Sequence, residues 1–189
     1  MDVPIGKITS LGSLTELLTG GGKEDALSML GYHGVYILEH RITKSPVYVG
    51  QGQDVGKRLR RHIGAILCGE FCHWNDREKT SKAVGLAKNT SGDTTKYIYV
   101  PESRSHKPFC MKDAMEFVQN LDAWLIRCDH RILRVIEGCL LRALSKNYLL
   151  ANGDLSMRCT KDGASYVREV ARGTKGMPTW LRDLGCEPV

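Results

Sequence analysis

The chain has 189 residues, 42% of them hydrophobic, a formal net charge of +6 and a pI near 9.0. That length suffices for one domain with a real core, and that hydrophobic share excludes a disordered chain. There is no apolar run of 18 residues to span a membrane, and MDVPIGKITSLGSL lacks the basic and apolar segments of a secretory signal, so the expectation is an intracellular, cytoplasmic protein.

In chain order, residues 12–30 read as short helical pieces broken by TGGGK. SLTELL has the spacing of a capping box, and KEDALSML carries acids in its first turn and stops at Gly31. GVYILE (34–39) and PVYVG (46–50) read as strands, and HRITKS between them is short enough for a hairpin. Asp54 is placed to cap a helix that runs to about Leu67 and buries a stripe of Val55, Leu59, Ile63, Ile66 and Leu67. Residues 69–94 are polar and read as loops with at most one short helix. TKYIYVPE reads as a strand ending at Pro101, MKDAMEFVQNL as a helix and AWLIRC (123–128) as a strand. Ile132, Val135, Ile136, Cys139, Leu140, Ala143 and Leu144 mark an amphipathic helix, and ASYVREVAR marks another in a Gly-rich, basic tail. No linker separates a second domain.

Seven cysteines, an odd number spread along the chain, argue for reduced thiols rather than a disulfide framework. CGEFCHW sets Cys68, Cys72 and His73 at a spacing that could begin a zinc site, but no second Cys/His cluster completes it. The cation clusters GKRLRRH and RCDHRILR would attract a polyanion, nucleic acid above all, or form solvated helix faces.

The stretch PVYVGQGQDVGKRLRRH (46–62) admits two chemistries. A dinucleotide loop requires G-x-G-x-x-G between a strand and a helix, but Gly50, Gly52 and Gly56 are one residue too wide and Val55 holds the third-glycine place. The alternative is a phosphodiester site. Arg58 and His62, four apart on one helix, point the same way, off the apolar stripe, toward the strand end that holds Tyr48. A hairpin would bring Tyr36 beside them. Arginine's planar fork suits phosphate oxygens, and a tyrosine beside fixed cations could have a lowered pKa and act as a base.

These residues resemble the GIY-YIG endonucleases. GVY at 34–36 and YVG at 48–50 look like the family's paired tripeptides. Arg58, eight residues past Gly50, stands where the family carries its catalytic Arg, and His62 stands where members carry Tyr or, in certain restriction enzymes, His. Glu137, on the helix after AWLIRC, is the single acid between Asp129 and Asp154 and matches the family's metal-binding Glu. The family Asn falls at Leu149, flanked by Asn147 and Asn152, and the turn-like YLLANG favours Asn152. Lys44 matches a lysine found between the tripeptides in some members and fits a plain hairpin lysine equally well.

The resemblance covers about residues 34–152. It implies an α/β fold of the α+β kind: a small central antiparallel sheet of about three strands flanked by helices. Residues 1–189 would then form a single domain, with an N-terminal helical extension (1–33), a catalytic core (34–152) and a C-terminal extension (153–189). The core would carry an insertion at about 69–120. It also implies metal-dependent hydrolysis of DNA, with one Mg²⁺ or Mn²⁺ on Glu137. Tyr36, helped by His62 or a water, would take the proton of the attacking water. Arg58 would hold the phosphate, Tyr48 would position it or the nucleophile, and Asn152 would steady the site.

Arg60, Arg61, Arg131, Arg168, Arg172 and Lys175 are candidate contacts to double-stranded DNA. Trp74 and Trp180 could stack on bases or be buried. A stand-alone chain of this size is closest to the restriction branch, for which a homodimer is the common assembly. A repair or homing nuclease, or a non-cleaving nucleic-acid-binding module on the same fold, are the alternatives, and RNA stays open as substrate.

Overall fold

The computed structural model describes residues 6–21, 31–67, 71–73, 99–101, 111–148, 150, 159–173 and 178–186. In chain order these form β1 (Ile8–Ser13), α1 (Leu14–Thr19), β2 (Gly34–His40), β3 (Ser45–Gly52), α2 (Val55–Leu67), β4 (Phe71–His73), β5 (Tyr99–Pro101), α3 (Met111–Gln119), β6 (Leu121–Arg127), α4 (Leu133–Leu144), α5 (Lys161–Arg172) and α6 (Thr179–Cys186).

The main sheet is antiparallel, in the order β1-β6-β2-β3. It therefore has four strands where about three were expected. The extra strand is β1, drawn from the stretch read as a helical extension. Ile8, Leu11 and Ser13 face inward, and β1 pairs with β6 from Ile8↔Ile126 to Ser13↔Asp122. The alternation is interrupted by a register shift between Ser10 and Gly12, with Gly12 at φ 82°, so a short and irregular strand showed little of its period. SLTELL does form α1, but Ser13 supplies no side-chain cap.

The β2–β3 hairpin, the β6 strand and α2 lie where the pattern puts them. Asp54 caps α2, its Oδ1 accepting from the Lys57 N–H at 2.8 Å. The polar stretch read as loop contains β4, which pairs with β5 in a separate two-stranded ribbon.

Helices cover both faces of the main sheet. On one, α1, α2 and α3 pack Leu14, Leu59, Ile66 and Phe117 against Tyr36, Leu38 and Leu125. On the other, α4, α5 and α6 pack Leu140, Val167, Trp180 and Leu181 against Val35, Ile37, Val49 and Ile126. Strand parity makes this division: successive residues of β2 go to opposite layers, so both layers bury apolar side chains worth about 1.5–3 kcal/mol each. Part of the expected C-terminal extension, α5 and α6, is thus core structure. Trp180 is fully buried, and its indole N–H donates to Glu39 Oε2 at 2.8 Å, so it is no base-stacking platform. Among the described residues, no helix is long and apolar enough to cross a membrane.

Candidate active site

β3 is an edge strand of the main sheet, and the candidate site forms around its far end. Tyr36 of β2 stands opposite Gly50 of β3, and Gly34 stands opposite Gly52. Tyr48 points to the same face as Tyr36, because both belong to the core layer that holds α2. Their rings stack with centroids 6.1 Å apart and planes 25° apart. A Cβ at position 50 would lie 2.5 Å from Tyr36 Cζ and Oη and 2.8 Å from Tyr48 Cε1. The two phenols therefore lie across bare backbone, which only glycine provides.

The chain then passes Gly52 and turns into α2. A Cβ there would meet Asp54 O at 3.1 Å and Arg58 Cβ at 3.3 Å, so the small residue lets the first turn of the helix close over the strand end. Arg58 and His62 project from α2 toward the tyrosines. The imidazole of His62 lies 4.4 Å from the Tyr48 ring and 6.1 Å from the Tyr36 ring, edge-on to both. His62 is itself buried, a departure from the expected position off the apolar stripe. The tyrosines complete the wall beside it, and one sequence window does not display a wall made by two other strands.

Glu137 comes from the opposite layer. It is 8% exposed, on α4, and it reaches the side chain of Gln51, the β3 residue whose parity turns it away from Tyr48 and Gly50. Burial pushes its carboxyl up to about 7, against the pull of Arg58, the Gln51 hydrogen bond and Arg134. Of these three, Arg134 pulls least. Arg58 is felt by Glu137 and by both tyrosines, so it stands between the two layers at the sheet edge.

Electrostatics corrects one expectation. Burial, more than the neighbouring Tyr48 and Glu137, drives the Tyr36 phenol well above its ordinary range, and Arg58 does not offset it. Tyr48 is raised as well, again by burial first. Neither is a ready phenolate. Burial, then Arg58 and Arg61, lowers His62 to about 4, which keeps its imidazole neutral and able to accept a proton. Arg58 lies within looser hydrogen-bonding reach of both phenols, but Tyr36 Oη and Arg58 Nε are buried with no partner at full hydrogen-bond geometry among the described residues. Buried polar atoms are normally satisfied, so two unsatisfied ones in the same site point to a polar ligand.

Five of the six expected catalytic residues, Tyr36, Tyr48, Arg58, His62 and Glu137, thus converge. Asn152 lies outside the described residues; Asn147 is exposed just past α4. Gln51 was missed by sequence reasoning, although strand parity sets it opposite to Tyr48. Of the cationic candidates, Arg60 and Arg61 are exposed on α2, Arg131 is exposed after β6 and Arg172 is exposed in the last turn of α5. Arg168 donates to Ser165 Oγ at 3.2 Å, and Lys175 lies outside the described residues. Lys44 is in the turn at the other end of the hairpin, 3.8 Å from Glu39 Oε1, with φ 53°. Its position fits the plain hairpin lysine.

Cys68 and Trp74 lie outside the described residues, and of Cys72 and His73 only the backbone is described. No group of three or more His, Cys, Asp or Glu suited to a metal ion occurs among the described residues. No protein-family model, no curated protein and no solved structure matches the chain.

Proposed function

We propose that the protein is a divalent-metal-dependent endonuclease that hydrolyses phosphodiester bonds in DNA, with the GIY-YIG arrangement and a restriction-type mode of action. The observation that carries this reading is the meeting of Tyr36, Tyr48, Arg58 and His62 with Glu137 across the edge of one strand. These residues come from β2, β3, α2 and α4.

The chain's own groups divide the work. The Arg58 guanidinium, with its Nε unsatisfied, binds the non-bridging oxygens of the scissile phosphate and stabilises the charge that grows there. Tyr36 Oη, a neutral and unsatisfied hydroxyl, hydrogen-bonds the attacking water. His62, held neutral by burial and edge-on to both tyrosine rings, is the group that takes the water's proton. Tyr48 positions both rings, stacking on Tyr36 and meeting the His62 imidazole edge-on.

Glu137 fits a site for one Mg²⁺ or Mn²⁺. It is a desolvated carboxylate in need of positive charge, and Mg²⁺ accepts a site with one protein carboxylate when waters and substrate phosphate complete its shell. When bound, the ion supplies neutralisation of the leaving 3′ oxygen. Gln51 orients the carboxylate.

The test is incubation of supercoiled plasmid with the protein and Mg²⁺, beside Arg58→Ala and Glu137→Ala. Cleavage by the wild type that falls at least 100-fold in both variants supports the reading. Binding of the plasmid without any cleavage would make the protein a nucleic-acid-binding module instead. Undiminished cleavage by Glu137→Ala would remove that residue from the site.

A further inference from the structure

We propose that Cys139 and Cys159 are a redox modification site, forming a reversible disulfide that ties α4 to the start of α5. Their sulfur atoms lie 3.1 Å apart, though unbonded. Bond formation needs them to approach by only about 1 Å. Cys139 is buried on α4, and Cys159 is half-buried just before Thr160, the N-cap of α5. Both thiols face the Thr160 carbonyl, at 3.8 and 3.9 Å.

A second observation shows that the fold makes room for this pair. A Cβ on Gly163 would lie 2.9 Å from Cys139 Sγ and 2.6 Å from Val135 Cγ1, so a side chain in the first turn of α5 would displace the sulfur. The same glycine donates its N–H to Thr160 Oγ1 at 3.1 Å, the capping bond that fixes the chain next to Cys159 at the start of α5.

The oxidant class is a low-molecular-weight disulfide. Cys159, the more accessible sulfur, attacks it as thiolate and expels one thiol, leaving a mixed disulfide. Cys139 then attacks the Cys159 sulfur and expels the second thiol. Two protein thiols are oxidised, one external disulfide is reduced, and the two thiol protons end on the two released thiols. The resulting bond closes a loop between residues 20 apart in sequence, which removes freedom from the unfolded chain.

The test uses the full chain and glutathione disulfide as probe, with dithiothreitol as the reduced reference. Peptide mapping without reductant should show Cys139 linked to Cys159, and Tm should rise by roughly 6–12 °C. Cys159→Ser should abolish both changes, and Cys128→Ser should keep both. The idea is overturned if Cys139 and Cys159 remain alkylatable, stop as separate glutathione adducts, or pair with other cysteines. It is overturned too if the link forms with no rise in Tm. None of these readouts uses DNA cleavage, so they stand apart from the nuclease reading.

Discussion

Tyr36 and Gly50 are register partners in the β2–β3 hairpin, and the phenol of one occupies the space a side chain on the other would need. Gly50→Ala sets a methyl 2.5 Å from Tyr36 Cζ, in a cluster where Tyr36 is fully buried. The ring has to move, so urea denaturation should show a loss of about 1–3 kcal/mol. Plasmid cleavage should fall further than that loss explains, because in the proposed mechanism the displaced hydroxyl is the one that holds the attacking water.

Glu137 gives a pH signature to stability. Its native carboxyl holds its proton up to about 7, whereas in the unfolded chain it releases it in the ordinary carboxylate range. Between those values the native state binds more protons, so wild-type stability falls as pH rises through the window. Glu137→Gln removes that fall. Metal-free protein at pH 8 should therefore be stabilised by about 1–3 kcal/mol in the variant, with no gain at pH 4. Denaturant titrations at the two pH values check it.

Proton competition at the same carboxyl should weaken metal binding in acid. Below about pH 7, the apparent Kd for Mn²⁺ should rise by about tenfold per pH unit, and above it should level off. Calorimetry of the wild type, with Glu137→Gln as the silent control, reads this directly.

His62 works in the opposite direction. Its native pKa is lowered to about 4, so as pH falls below the ordinary imidazole value the unfolded chain takes up the proton first. The stability tied to a neutral His62 is complete above about pH 6.5 and is lost on the way down to 4. His62→Asn should flatten the acid limb of the stability profile, as followed by thermal melts from pH 4 to 8.

DNA binding should depend on salt through the exposed face of α2. Removing Arg60 and Arg61 together should make the slope of log K against log salt less negative by about 1.8, with sequence preference unchanged. Fluorescence anisotropy across a salt series measures it.

The local periods of the sequence determined most elements of this protein. The run of β-formers in GVYILE, the stripe from Val55 to Ile66 and the apolar face around Leu140 each need only near neighbours to be legible. Asp54 as a helix cap is equally local. Tertiary structure decided the rest. β1 exists because β6 offers it hydrogen-bond partners more than a hundred residues away, and α6 is a core helix because Trp180 meets Glu39. The chemistry divides the same way. Residue type and spacing marked Tyr36, Tyr48, Arg58 and His62 as a set, and the family resemblance added Glu137, but neither told how water would be excluded from them. A lowered tyrosine pKa follows when only a neighbouring arginine is considered, and burial from two layers reverses it. Charge near a residue can be read from spacing, whereas desolvation is a property of everything packed around it.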